Sequence, residues 1–499
     1  MAQNDTLQPL PPERFDYWHA LHLVNRAGFG TDPSHVHHFA QIGVDAAVDF
    51  FVRFSDRRFT AVAPDDFDAD LLRPATEEEL RQTRRARERG DEATIARIRR
   101  DRVKRSQLNR TQMIDFQRWW LRRMMETPRP LEERMVLFWH GHFASSFHVV
   151  RDSYHMFQQN RLFREHAIGD VRALTHGVIR DPAMLKYLNN NLNRKERPNE
   201  NLARELLELF TLGDGRGYTE RDIKEGARSL TGYSFDDDAF RRLERYHDGG
   251  TKTIFGRTGT WDGDDFVDLI FRERDPAPFL CEKLYRYFVN DLPNGVDADA
   301  RAAIDAMAHE LRSHQYYVGP MLGKLFRSAH FYDARHAGAQ IKSPIQLLVQ
   351  TRRSLETPIR DLDAQLAAAR LMGQTLGYPP SVQGWTGGRA WINTATMFVR
   401  QNLLLYLLTG RRSAPHGWKA DRTPFRATGL VAHLESTLDH TGPEEVATYL
   451  LQITVGRLLH PDRASTLTQF LEQRGGRIDD ATITDALALI AVMPEFQLC

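Results

Sequence analysis

The chain holds only two cysteines, Cys281 and Cys499. That excludes a disulfide framework and a CxxC metal knuckle, and two free thiols are expected. Long hydrophobic runs are absent. The strongest, LLLYLL (403–408) and ALALIAVM (486–493), fall far short of the ~18 to 20 residues that a membrane-spanning helix needs. No charge of one sign predominates: 67 Lys and Arg meet 66 Asp and Glu, for a formal net charge of +1. A near-neutral total gives no global case for nucleic acid or an anionic membrane as partner. The stretch MAQNDTLQPLPPERFDYW has neither a basic n-region nor an apolar h-region, so it does not read as a secretory signal. The expectation is a cytoplasmic protein with no transmembrane segment, with export on a partner's signal left open. Walker A, GxGxxG, GxSxG and HExxH motifs are all missing. So are the βαβ alternation of a parallel sheet and any fixed-period repeat.

What the 499 residues do contain is 41% hydrophobic and 27% charged residues, the balance of a packed globular protein. Most segments carry apolar residues at helical spacing. FDYWHALHLVNRAG ends at Gly28. TDPSHVHHFAQIG opens on a capping Thr31 or Asp32, has Pro33 in its first turn and stops at Gly43, and VDAAVDFFVRF follows. Thr76 with Glu79 makes a capping box at the head of a long run of helix formers, which Gly90 breaks. From Arg81 to Arg110 that run holds twelve Lys or Arg against four Asp or Glu. It reads as a solvated helical hairpin or as an arm for an acidic partner or nucleic acid. No aromatics interleave the arginines, which argues against stacking on single strands and disfavours nucleic acid. Further on, YHDGGTKTIFGRTGTWDGDD clusters glycine and aspartate around a short β-branched run. The predicted fold class is mainly α: a large multi-helix domain with irregular Gly/Asp-rich loops and at most a small β-hairpin near 246–260. It divides into an N-terminal helical subassembly (13–56), an Arg-rich helical insertion (57–110), a helical core with the candidate site (111–350) and a C-terminal helical part (351–499) packed on that core.

The stretch RPNENLARELLELFTLG (197–213) carries charge against a core face. Pro198 and Asn199 supply a start, with Asn199 or Asn201 as N-cap, and Gly213 supplies a stop. Leu202, Leu206, Leu209 and Phe210 form one stripe, with Glu205 at its edge. Glu200, Arg204 and Glu208 form an i, i+4, i+8 row beside it. A buried carboxylate needs a cation, a metal or a donor network. The structural alternative is that Glu205 pairs with Arg151 or Arg228. Upstream, LFWHGHFASSFHVVRDSYH places His140 two residues before His142, then Arg151 and Asp152. On a continuous helix the two imidazoles point about 160° apart, whereas a turn at Gly141 would let them converge on one ion. His247, Asp248 and Lys252 surround a Gly-Gly turn, and Trp385 and Arg389 lie in QGWTGGRAW (383–391). Glycine lets a backbone approach a ligand, and arginine binds carboxylate or phosphate.

The blocks HLVNRAGFG, FWHGHFASSF, RDPAMLKYLNN, RPNENLARELLELFTLG, YTERDIKEGARSLTGYSF, HDGGTKTIFG, IKSPIQ and PPSVQGWTGGRAWI resemble, in order, those of a bacterial family known as domain of unknown function 1800. The resemblance runs from about residue 20 to the C-terminus, outside the Arg-rich 57–110 region. It implies a mostly helical protein and brings no established activity or catalytic residues. Family members are often exported and often encoded beside a phosphatase- or sulfatase-like protein, which the resemblance suggests as a partner. Asn189 stands where such a block more often has Asp, so it is not taken as a ligand.

Two readings follow. In the first, the chain is a metal-assisted hydrolase of an anionic substrate. His140, His142, Glu205 and Glu208 hold a divalent ion, and Arg151 or Arg204 orients the substrate. His247 or Asp248 acts as acid or base, with Asp152, Asn199, Glu200, Lys252, Trp385 and Arg389 around them. In the second, it is a non-catalytic binding or assembly protein whose polar clusters are buried ion pairs. Nucleic-acid binding through the arm is a weaker alternative.

Overall fold

The computed structural model describes residues 6–59, 67–432, 442–456, 460–476 and 478–499. It is mainly α, as the apolar spacing predicts. Helix α1 (Tyr17–Ala27) starts on a capping box made by Asp16 and ends at Gly28. Helix α2 (Pro33–Val52) starts on Asp32, and Gly43, at φ 81°, kinks it where the sequence places a stop. Helices α3 (Glu77–Glu88) and α4 (Glu92–Glu126) form a hairpin across Gly90, with the expected Thr76–Glu79 capping box at its head. Then come α5 (Pro130–His142), α6 (Phe147–Val150), α7 (Ser153–Glu165), α8 (Val171–Val178), α9 (Pro182–Tyr187), α10 (Asn201–Glu205) and α11 (Glu220–Ser229). Two antiparallel hairpins follow, β1 (Tyr233–Asp236) with β2 (Ala239–Arg242) and β3 (Lys252–Ile254) with β4 (Arg257–Gly259). The β3–β4 hairpin lies where a small hairpin is predicted. The β1–β2 hairpin is additional, and Asp237, at φ 53°, sits in its turn.

The remaining helices are α12 (Gly263–Glu273), α13 (Ala277–Phe288), α14 (Ala298–Ser313), α15 (Val318–Arg327), α16 (Pro344–Leu355), α17 (Leu362–Leu371), α18 (Thr394–Thr409), α19 (Pro443–Val455), α20 (Pro461–Gln473) and α21 (Asp480–Ala491). One large apolar core runs from Leu7 to Trp418, and a second gathers α19, α20 and α21 against Leu347, Leu355, Leu404 and Leu408. Among the described residues no helix is long and apolar enough to cross a membrane.

Buried and half-buried arginines close several helix ends. The last carbonyls of a helix have no intrahelical partner, and a guanidinium offers five donors in a fixed fork. Arg26 donates to the Phe288 and Val289 carbonyls at the end of α13. Arg353 reaches Met125 and Thr127 at the end of α4, and Arg360 reaches Leu407 and Leu408 near the end of α18.

A histidine joins α8 to α12. His176 Nδ1 lies 3.1 Å from Asp264 and Nε2 3.0 Å from Asp268. Burial lowers the His176 pKa, but the hydrogen bonds to Asp264 and Asp268 outweigh it and leave the pKa above its ordinary value. A group whose folded pKa is raised stabilises fully below its unfolded value, about 6.5, and loses that contribution as pH rises through the folded value. Urea melts across this window should therefore show His176→Gln catching up with the native chain on the alkaline side. The gap on the acid side should be about 1 kcal/mol or less, because both carboxylates are partly exposed. A gap independent of pH would sink the assignment.

Candidate functional site

The motif stretch 197–213 is not one α-helix. α10 gives way to a π-helix (Leu206–Thr211), and the Leu212 amide donates back to the Leu207 carbonyl at 3.0 Å. The wider winding brings Leu202, Leu206, Leu207 and Phe210 into the core together. Its last carbonyls are taken by side chains from other helices. Lys283 Nζ donates to Leu209 O at 2.9 Å, and His142 Nε2–H donates to Phe210 O at 2.9 Å. Lys283 also donates to His142 Nδ1 at 3.3 Å, so both ring nitrogens of His142 are engaged. Burial, then the Lys283 charge, holds the His142 pKa well below its ordinary value. Burial lowers Lys283 to about 8.

α5 stays helical through Gly141, so His140 and His142 leave it in different directions. His140 Nε2 accepts from the Gly377 amide at 3.0 Å, and its ring packs against Trp120 and Trp385. Burial lowers its pKa to about 4. The structure therefore does not give His140 and His142 free lone pairs facing one point, as a shared ion with Glu205 or Glu208 requires. Among the described residues no group of three or more His, Cys, Asp or Glu is placed to hold a metal ion.

The other expected site residues are largely engaged with one another. Glu205 is half-buried, and burial, then Glu208, raise its pKa against Arg204. Neither suggested arginine pairs with it: Arg228 binds Asp248 and Glu225, and Arg151 Nε donates to the His148 carbonyl. Arg204 bridges Glu200 and Glu208 at 3.0 and 3.1 Å, as the i, i+4 row predicts, and adds Glu220 at 3.0 Å. Asn199 Oδ1 accepts from the Asn201 amide at the helix start. His247 Nδ1–H donates to Thr231 O at 2.8 Å. Asp248 accepts from Arg228 Nε at 2.7 Å and from the Gly250 amide at 2.9 Å, and Lys252 Nζ donates to the Asp248 and Gly250 carbonyls. Trp385 covers His140, while Arg389 is exposed and makes no ion pair among the described residues.

One cluster leaves a group unengaged. Asp152 caps α7 by accepting from the Tyr154 and His155 amides. His155, a turn into α7, is buried, and its Nε2 lies 3.1 Å from both Asp238 Oδ1 and Asp237 O in the β1–β2 turn. Its Nδ1 is buried without a hydrogen-bond partner, with Asp152 Oδ2 3.9 Å away. An imidazole held by a carboxylate through one nitrogen, with the other nitrogen unengaged, has the geometry of a general base. Here that nitrogen is sealed from solvent, so no substrate reaches it in this conformation. Burial lowers the His155 pKa against Asp152, and it lowers Lys186 as well. Burial, then Asp237, Asp152 and Asp70, push Asp238 up to about 7.

This last shift has a sign that can be checked. The folded state keeps a proton on Asp238 that the unfolded chain, with an aspartate pKa of about 3.9, has already released. Stability therefore falls as pH rises from about 4 towards 7. Asp238→Asn should remove that loss and make the variant the more stable of the two on the alkaline side. Parallel curves for the two proteins would show that Asp238 titrates normally.

The densest buried ion-pair network escaped the sequence reading, because LEERM looks like an ordinary amphipathic helix. Glu133, fully buried in α5, accepts from Arg123, from Arg164 at 2.8 and 3.0 Å and from Trp120 Nε1 at 3.0 Å. Glu132 beside it pairs with Arg123 and Arg129.

Fold and site together define a large, mainly helical protein in which most of the residues marked by the sequence blocks make closing contacts within the molecule. The chain belongs to the family described as "Protein of unknown function (DUF1800)", whose model matches residues 22–498. No curated protein and no solved structure matches it.

Proposed function

We propose that this chain is a non-catalytic binding or assembly protein whose basic α3–α4 arm docks an acidic protein surface. The observation that carries the reading is the arm itself. From Glu77 to Leu108 every residue but Ala86 is exposed or half-exposed. The arm presents Leu80, Ile95, Val103 and Leu108 among its arginines. Arg81, Arg84, Arg85, Arg99, Arg100 and Arg102 make no ion pair among the described residues, whereas the arm's pairs are Arg73 and Arg105 with Glu79 and Arg97 with Asp101. A surplus of unpaired arginine over unpaired glutamate, beside exposed apolar side chains, suits an acidic surface with an apolar centre. The engaged state of His142, Arg204 and Asp248 supports the same reading over a hydrolase.

The phosphatase- or sulfatase-like protein suggested by the family resemblance is the first partner to test. Binding should be measured by surface plasmon resonance with the full chain and with Arg84, Arg85, Arg99 and Arg100 all changed to Gln. The expected result is association slowed about tenfold or more by the four substitutions, and by salt in the native chain. Binding that ignores both, or no binding at all, would overturn the docking assignment. A steep salt-dependent shift of DNA instead would move the assignment to nucleic acid.

A further inference from the structure

A cavity of about 60 Å³ lies between α1, the 332–342 segment, the end of α19 and the chain's last residues. Two sequence blocks that the motif stretch does not use meet there: HLVNRAGFG through Asn25, and IKSPIQ through Lys342. Its walls are apolar at Trp18, Leu21 and Leu498 and polar at Tyr332, Lys342 and Gln350.

The polar groups on these walls are incompletely engaged. Lys342 is 2% exposed and donates to the Phe496 carbonyl at 2.8 Å, which leaves two of its three donors over. No Asp or Glu among the described residues pairs with it; its Nζ lies 4.6 Å from the centre of the Phe496 ring, and burial, against the charge of Cys499 on the cavity wall, lowers its pKa to about 8. Gln350, 6% exposed, donates to Asn25 Oδ1 at 2.9 Å, but its Oε1 is buried with no hydrogen-bond partner. The Tyr332 hydroxyl, on a residue 5% exposed, likewise has none. Asp333 also lines the cavity, but Arg335 neutralises it at 3.2 Å. Buried donors and acceptors of this kind are costly unless a polar ligand or water completes them. The volume is that of roughly four water-sized spheres.

We propose that this cavity binds a small carboxylate that carries a hydrogen-bond donor, of the size of lactate. Its carboxylate meets Lys342, and Leu21 and Leu498 take the short apolar end; Gln350 Oε1 and the Tyr332 hydroxyl, sealed in the free protein, turn to its donor and head group on binding. The site lies apart from the basic arm, so it stands or falls independently of the docking proposal.

The test is titration calorimetry and thermal melting of the full chain with lactate, propionate and inorganic phosphate. Lactate should bind saturably and raise the melting temperature by mass action. Propionate, which lacks the hydroxyl, should bind about tenfold more weakly, because Gln350 then stays unpartnered. Lys342→Met should abolish binding. Where that variant fails to fold, Tyr332→Phe keeps the question open to measurement. It removes only an unpartnered hydroxyl, so it should fold and bind lactate several-fold more weakly. No heat and no shift with lactate would overturn the proposal, as would equal affinity in Tyr332→Phe. Phosphate binding without lactate binding would overturn the carboxylate assignment.

Discussion

Replacing Arg26 by Met is expected to cost the fold roughly 4 kcal/mol or more. Arg26 is fully buried in α1. Its guanidinium donates to the carbonyls of Phe288 and Val289 and of His336 at 2.6 Å, and to a terminal oxygen of Cys499 at 2.7 Å. Three segments distant in sequence are thus held to α1 by one side chain. Met fills most of the volume but offers no donor, so the change isolates the hydrogen bonds from the packing. Each buried carbonyl left without a partner costs about 1–3 kcal/mol. Hydration at the Cys499 end reduces the sum, because Cys499 is only partly buried. Burial lowers the Arg26 pKa, yet an arginine stays charged at neutral pH, so the loss should be flat between about pH 6 and 8. Urea melts give the size, and amide exchange gives the place. The amides of Lys342 and Cys499, which pair with Gln497 and Gln340, should lose protection first. A loss below about 1 kcal/mol, with those amides unchanged, would mean that water replaces the guanidinium freely.

The same contrast between near and distant partners explains what the sequence made legible. Helix starts were readable because their chemistry is local: Asp32 with Pro33, and Thr76 with Glu79, act within one turn. The Glu200–Arg204–Glu208 row was readable for the same reason, since i, i+4 spacing decides which side chains meet. The π-helix was not, because 197–213 carries caps and apolar spacing that fit an α-helix. What permits the π winding is His142, 68 residues away, and Lys283, 74 residues away, which cover its carbonyls. The His140-x-His142 pair was misleading because helix α5 does not break at Gly141. The His155 cluster was half-visible. Asp152 stands beside His155 in RDSYH, but the β1–β2 turn that completes it lies 82 residues on and shows only as a run of aspartates. The IKSPIQ block stood out in the sequence, yet no local spacing shows that Lys342 meets Tyr332 and Gln350 around one cavity.

Glu133→Ala should destabilise the protein by about 3–5 kcal/mol, because removing one partner of a buried network leaves the others charged and unpaired. The side chains of Arg123 and Arg164 are only 11% and 13% exposed, and Glu133 itself is fully buried. Arg123 keeps Glu132 as a partner. Arg164 retains a 3.5 Å contact with the Asn160 carbonyl and its place over the Trp119 ring, but no carboxylate in hydrogen-bond reach among the described residues, so most of the cost falls on Arg164 and on the Trp120 indole N–H. Adding Arg164→Met to Glu133→Ala should therefore recover part of the loss, whereas two independent sites would simply add. The pH dependence supplies a second check. Burial pushes the Glu133 carboxyl up, but Arg164 and Arg123 outweigh it and hold it below its ordinary value. A group with a depressed folded pKa contributes above its unfolded value, about 4.3 for glutamate, and that contribution is lost as pH falls through the folded value. The gap between native and Glu133→Ala chains should thus be widest near neutrality and narrow below about pH 4. If the gap is under about 1 kcal/mol at neutral pH, or if Arg164→Met adds its full cost on top, the three helices α4, α5 and α7 are held by their apolar contacts. Glu133 would then be a carboxylate that its arginines tolerate without needing it.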